Sequence, residues 1–121
     1  MILETGTARG FSSLCMAKAL DDSKVSGSII TFDVLPHFKK MYWNCITDHT
    51  DGALSREELL KPWQDLLEKF IIFYQGNSVI ELKKIGLNRM HFAFLDGAHS
   101  YEEVLFEFKV IKDRQKHGDI I

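Results

Sequence analysis

Apolar positions along the chain fall into short, uninterrupted blocks separated by longer stretches in which they recur every three or four residues. The blocks Ile2-Leu3, Ser28 to Asp33, Phe70 to Tyr74 and His91 to Asp96 have strand length and are rich in β-branched or aromatic side chains. The intervening stretches have helical spacing. Leu14, Cys15, Ala17, Ala19 and Leu20 give the first helix an apolar side, and Asp21-Asp22-Ser23 closes it. Ser55-Arg56-Glu57-Glu58 is a capping box that opens a helix through Leu59, Trp63, Leu66, Leu67 and Phe70. Pro62 lies inside that pattern and predicts a kink or a split, because it removes an N–H and crowds the preceding turn. Ser78 with Glu81 reads as a second capping box, ahead of Val79, Ile80, Leu82 and Ile85, with Gly86 as the stop. Ser100 with Glu103 reads as a third, ahead of a buried stripe of Tyr101, Val104, Leu105, Phe108 and Ile111. Lys112, Arg114, Lys116 and His117 suit the negative end of that last helix, and Gly118 releases the chain into Asp119-Ile120-Ile121, the start of a fifth strand. Residues 34 to 53 carry no clear period and predict a loop with a short helix. Tyr42 and Trp43 within it fit either a lid over a site or packing for a long connection.

Apolar strands alternating with helices predict an α/β fold, a mostly parallel sheet covered by helices on both faces. In such doubly wound sheets a ligand lies outside the carboxyl ends of the strands. The first of those ends is Glu4-Thr5-Gly6-Thr7-Ala8-Arg9-Gly10, a strand feeding a helix through a glycine turn. Glycine lets backbone approach a ligand, and the helix N-terminus presents unpaired N–H groups, so the segment reads as a nucleotide-binding start. A dinucleotide fingerprint read from Gly6 needs glycines where Ala8 and Phe11 stand, and the Gly-Lys-Ser/Thr of a phosphate loop is missing. Asp33 closes the second strand and is placed to accept from the two hydroxyls of a ribose, or is an ordinary polar strand end.

Composition narrows the partners. The 121 residues fit one domain, and 45% hydrophobic with 26% charged residues is ordinary for a globular protein. A net charge of -2 without a Lys/Arg block argues against nucleic acid as a partner and for a small molecule. No apolar run nears the ~20 residues that span a bilayer, and Met1 to Leu3 open a strand rather than a signal peptide. Cys15 and Cys45 have neither zinc spacing nor a disulfide framework, so a reduced, cytoplasmic location is expected, with no membrane partner.

Three segments, Glu4 to Ser12, Asp33, and Leu95-Asp96-Gly97-Ala98-His99-Ser100-Tyr101-Glu102, then stand in a familiar order. The chain resembles the class I S-adenosylmethionine-dependent methyltransferases, and within them the small group near macrolide-sugar O-methyltransferases and cephalosporin hydroxylase-like proteins. In that group the fourth strand ends Asp-Gly-acid-His-Ser-Tyr; Ala98 stands in place of the second acid. The resemblance runs from residue 2 to residue 121 and is thinnest over residues 34 to 53. It implies a Rossmann-like sheet of order 3-2-1-4-5-7-6, truncated here after the start of strand five, with the C-terminal strands missing and the bare edge expected to promote self-association.

The resemblance also implies roles. Glu4, Gly6, Thr7 and Gly10 would surround the methionine part of S-adenosyl-L-methionine, and Asp33 would hold its ribose. Asn77, with Ser78, would lie near the adenine, where relatives usually carry Asp; an amide still accepts from an exocyclic amine. Asp96 would border cofactor and substrate, and His99 would act with it as the catalytic pair. In metal-dependent relatives the Asp that ends strand four binds Mg²⁺, which makes Asp96 the metal candidate, with further ligands from an acid pair after strand five. Two plainer roles stay open: Glu4 as an anchor of the turn, and His99 as a residue bonding its own loop. His37, His49 and His117 read as non-catalytic.

Three functions compete at this stage. The first is methylation of an oxygen on a small molecule or sugar. The second is a non-catalytic remnant, or one piece of a longer methyltransferase, that binds S-adenosylmethionine or S-adenosylhomocysteine. The third is a nicotinamide-dependent oxidoreductase, which shares the acid after strand two but lacks the second and third glycines.

Overall fold

The computed structural model describes residues 1–86, 88–97 and 99–121. The elements follow as β1 (Ile2–Thr5), α1 (Phe11–Asp22), β2 (Ile29–Asp33), α2 (Asp48–Asp51), α3 (Arg56–Leu60), a 3₁₀ turn (Lys61–Trp63), α4 (Gln64–Phe70), β3 (Ile71–Gln75), α5 (Ser78–Glu81), β4 (Phe92–Leu95) and α6 (Tyr101–Lys112). The four strands form one parallel sheet of order β3-β2-β1-β4. The chain therefore reverses direction across the sheet at β1, and the switch point lies between the carboxyl ends of β1 and β4. The expected fifth strand begins on the far side of β4, where Ile120 bridges Phe92 in parallel and exchanges backbone bonds with Ala93 and His91 at 2.9 and 3.1 Å.

Two apolar clusters sit on opposite faces of the sheet. Leu3, Ile30, Phe32 and Ala93 meet Leu82, Met90 and Ile111 on the α5–α6 side. Ile29 and Ile71 meet Ala17, Leu60, Leu67 and Phe70 on the α1–α4 side. Phe32 is buried at the centre of the first cluster, and removing its ring would cost about 3–5 kcal/mol. Pro62 has the predicted effect: the long helix is split, with the 3₁₀ turn between α3 and α4. The capping box at its start is complete, Ser55 accepting from the Glu58 N–H while the Glu58 side chain accepts from the Ser55 N–H.

Several expectations need correction. Of the predicted apolar side of α1, Ala17 is buried and Leu14 and Leu20 are half-buried, but Cys15 and Ala19 face solvent and Ser13 is the second buried position. Of the predicted stripe on α6, Ile111 is buried and Leu105 half-buried, whereas Tyr101, Val104 and Phe108 are exposed and Glu107 takes a buried place. Hydrophobic spacing aims the wrong face at the sheet because two acids, Glu103 and Glu107, lie on the inner side. The cap before α5 is Asn77 rather than Ser78, and α5 ends at Glu81, well before Gly86. Ser100 caps α6 and also donates to the Glu103 carboxylate at 2.7 Å, so its box is closed through side chains. The sheet is buried on both faces only at its centre. β1 and β2 are enclosed, whereas Ile72 on β3 and Phe94 on β4 are 54% and 40% exposed.

Candidate functional site

The turn after β1 stays attached to β2, because Gly6 N and Thr7 N both donate to the Phe32 carbonyl, at 2.8 and 3.3 Å. Gly6 has φ +86, and a Cβ there would stand 2.6 Å from the Asp96 carbonyl carbon and 2.9 Å from Gly97 Cα. Only glycine lets β1 and the end of β4 close to this separation. Gly97 answers from the other side, since its own Cβ would lie 2.8 Å from Gly6 N. Gly10, at φ +87, starts α1 in a left-handed conformation against the Leu60 side chain.

Beneath this turn, Glu4 is buried, and its carboxylate accepts from the hydroxyls of Ser12, Ser13 and Thr31. With the Thr31 proton given to Glu4, Thr7 must donate in the 2.6 Å contact between the two threonine hydroxyls. Glu4 and Thr7 thus hold the turn from below. A buried carboxylate left without such donors would cost several kcal/mol, so the three hydroxyls and the acid form one unit.

Asp33 is nearly as enclosed. Its oxygens accept from Ala8 N at 2.5 Å, Leu35 N at 2.8 Å and Arg56 Nη2 at 3.0 Å. A carboxylate offers about four acceptor positions, so Asp33 keeps roughly one for a ligand. Arg56 is the residue that sequence reasoning missed, having read it only as the second position of a capping box. Its side chain is 2% exposed; beyond Asp33, Nε donates to the Ala8 carbonyl at 2.6 Å and Nη1 to the Leu35 carbonyl at 3.3 Å. Burial pushes the guanidinium below its ordinary value, opposed by the nearby charges of Asp33 and Glu4. Trp43 lies over Arg56, 5.7 Å from ring centroid to guanidinium carbon, so its ring serves as packing for this clamp.

A cleft of about 260 Å³ opens at the carboxyl ends of the strands. It is lined by Gly6 after β1, Phe32 and Asp33 at the end of β2 with Val34 after it, Gly76, Asn77 and Ser78 after β3, and Gly97, His99 and Glu103 after β4. Five predicted residues, Gly6, Asp33, Asn77, Ser78 and His99, therefore share one cavity. Glu4, Thr7, Gly10 and Asp96 are not among the lining residues; Glu4 and Thr7 hold the turn, and Asp96 is exposed, its N–H bonded to the Thr5 carbonyl at 3.0 Å. Asn77 Oδ1 accepts from Ile80 N at 3.3 Å as the cap of α5, and the Ser78 hydroxyl donates to Glu107. Ala98, where the second acid of the motif would stand, lies outside the described residues.

The volume is just under the range of pockets that enclose a whole drug-sized ligand. A parallel sheet reversing at β1, a glycine turn and a strand-terminal acid define a Rossmann-like cofactor fold. The chain belongs to the class I S-adenosylmethionine-dependent methyltransferases, since the Methyltransferase domain family matches residues 3–121. No curated protein matches it in sequence. Membership makes S-adenosylmethionine the methyl donor and methylation the activity. A glycine-walled cleft with an acid, an amide and a hydroxyl on its walls fits the nucleoside of that donor. Mg²⁺ does not find such a fit: among the described residues no three His, Cys, Asp or Glu side chains converge, so Asp96 has no set of partner ligands there. Among those residues too, no helix is long and apolar enough to cross a membrane.

Proposed function

We propose that the cleft takes the nucleoside of S-adenosylmethionine and that the chain methylates an oxygen of a small molecule or sugar. The observation carrying this reading is the meeting of Gly6, Asp33, Asn77, Ser78 and His99 from the ends of four neighbouring strands in one cavity. Asp33 accepts a ribose hydroxyl with its remaining acceptor position. Asn77 and Ser78 supply oxygen acceptors on the adenine side, and the bare backbone of Gly6 leaves room for the chain that joins ribose to methionine. When bound, the cofactor supplies an electrophilic methyl on a sulfonium sulfur, and the C–S electron pair remains on sulfur. His99, exposed at the cleft, takes the proton of the acceptor hydroxyl on a ring nitrogen as the new C–O bond forms. Asp96, three residues earlier at the same strand end, receives the acceptor with its exposed carboxylate. The acceptor class comes from the resemblance of the Asp96 to Tyr101 segment to small-molecule and sugar O-methyltransferases.

Calorimetry with S-adenosylhomocysteine and NAD tests the cofactor assignment. Micromolar binding of the first with none of the second is expected, and tighter binding of NAD overturns it. A screen of hydroxylated small molecules and sugars with methyl-labelled cofactor tests the acceptor. His99→Ala is expected to lower kcat by about 10²-fold or more while leaving S-adenosylhomocysteine affinity within threefold. Label found only on nitrogen or carbon acceptors refutes the oxygen assignment.

A further inference from the structure

Glu107 is 0% exposed, and nothing in the chemistry above uses it. It sits on the inner face of α6, one turn beyond Glu103, where Ile111, Phe106 and Val110 pack against the sheet. Its Oε2 accepts from Thr5 Oγ1 at 3.1 Å, and its Oε1 accepts from the Ser78 hydroxyl. Thr5 Oγ1 in turn accepts from Gly97 N at 3.3 Å. One side chain therefore joins, by an unbroken run of hydrogen bonds, the end of β1, the segment after β3 and the segment after β4. These are the places that carry Gly6, Asn77 with Ser78, and Gly97 with His99 into the cleft.

Stability alone does not account for an acid here. An apolar side chain of similar size would pack in this cluster without the desolvation cost that a buried acid carries. What the acid does supply is direction. A serine or threonine hydroxyl has one proton, and both of these protons point at Glu107. Thr5 is left as an acceptor for the Gly97 N–H. Ser78, which lines the cleft, is left able to meet a ligand only as an acceptor.

We propose that Glu107 is a positioning residue for the nucleoside cleft: it fixes the spacing between the Asn77–Ser78 wall and the Gly6–Gly97 floor, and it sets Ser78 as an acceptor that favours a 6-amino purine over a 6-oxo purine. The inference rests on the cofactor reading above and adds a base-selecting device to it. Adenine offers two protons on its 6-amino group, whereas the 6-oxo group of hypoxanthine offers only lone pairs, which an acceptor-only Ser78 repels.

The test measures S-adenosylhomocysteine, adenosine and inosine by calorimetry against the full chain, Glu107→Gln, Glu107→Leu and Ser78→Ala. Glutamine keeps one acceptor oxygen where the acid has two, so a graded loss is expected. Glu107→Gln should weaken S-adenosylhomocysteine severalfold and Glu107→Leu about tenfold or more, as for one or two lost hydrogen bonds to an acid side chain. The preference for adenosine over inosine should narrow in Glu107→Leu, because the freed Ser78 proton can now be donated to a 6-oxo group. Ser78→Ala, which leaves Glu107 with Thr5 and serves if the leucine variant does not fold, should narrow it too. Folded variants that bind as the parent does, or that lose adenosine and inosine equally, reduce Glu107 to packing and overturn the proposal. A parent chain that binds neither S-adenosylhomocysteine nor adenosine overturns the cofactor reading itself, and the inference with it.

Discussion

Replacing Gly6 by alanine tests how closely the ends of β1 and β4 must approach. Two costs add at this position. The first is conformational: at φ +86 an L-residue other than glycine is strained by about 1–2 kcal/mol. The second is steric, since the new Cβ would stand 2.6 Å from the Asp96 carbonyl carbon and 2.9 Å from Gly97 Cα, both backbone atoms that no rotamer change can move aside. Ordinary carbon contacts lie near 3.5–4.0 Å, so the end of β4 must withdraw by roughly 1 Å, an overpacking cost of about 1–3 kcal/mol. Gly118 supplies the control. It has φ +92, and among the described residues no atom lies within 4 Å of its would-be Cβ, so Gly118→Ala carries the conformational cost alone. The difference between the two variants isolates the steric cost. Thermal melts should place Gly118→Ala a few degrees below the parent and Gly6→Ala lower by a further ~5–10 °C. Withdrawal of β4 also loosens the bonds of Asp96 N to the Thr5 carbonyl and of Gly97 N to Thr5 Oγ1, and it carries His99 away. A displacement of that order can cost about 10²-fold in rate. If the two variants melt within a degree of each other and Gly6→Ala binds S-adenosylhomocysteine as the parent does, the close approach is not what the turn requires.

Arg56→Met should destabilise the fold by about 3 kcal/mol, the lower end for breaking a buried ion pair, because Asp33 keeps the Ala8 and Leu35 N–H groups. Urea unfolding checks the value, and a double-mutant cycle with Asp33→Asn should show coupling above 1 kcal/mol; additive effects would mean that the two side chains do not act together. His37 adds a pH dependence. Burial, helped by the Arg56 charge, lowers its pKa from the ordinary 6.5, and its Nδ1 has no hydrogen-bond partner among the described residues. The unfolded chain then binds a proton near pH 6.5 that the folded chain refuses until lower pH, so stability is full above pH 6.5 and declines as pH falls below it. Melts from pH 7.5 to 5 should show this slope in the parent and a shallower one in His37→Leu; equal slopes would assign it elsewhere.

What could be read from the sequence was local. The glycine turn, Asp33 at the end of β2, the split at Pro62 and the Ser55 cap each depend on a few adjacent residues, and the structure has them where they were expected. The three-strand reach of Glu107 and the clamp of Arg56 were not legible. Hydrophobic periodicity assigns charged residues to solvent, and only tertiary contact reveals that both are enclosed. The same blind spot turned α6 by a step, because counting Tyr101 and Phe108 as core left no place for an inward-facing acid. The α5 cap slipped by one residue since Asn77 and Ser78 are both good caps, and what decides between them is the use of the Ser78 hydroxyl by Glu107.

The antiparallel bridge between Met41 and Leu54 makes the long connection from β2 to α3 a module. Met41 and Leu54 exchange two backbone bonds of 3.2 Å, and Trp43 Nε1 donates to the Leu54 carbonyl at 2.9 Å. Residues 44–53, the part beyond Trp43, leave and return through adjoining points, as the two ends of a hairpin do. Loop length enters closure entropy only logarithmically, so this excursion can be shortened to a tight turn or exchanged for a longer one at little cost to the sheet. Arg56 and Asp33, just outside the bridge, would keep the cofactor turn in place through such an exchange. The segment is thus the part of the chain best suited to grafting.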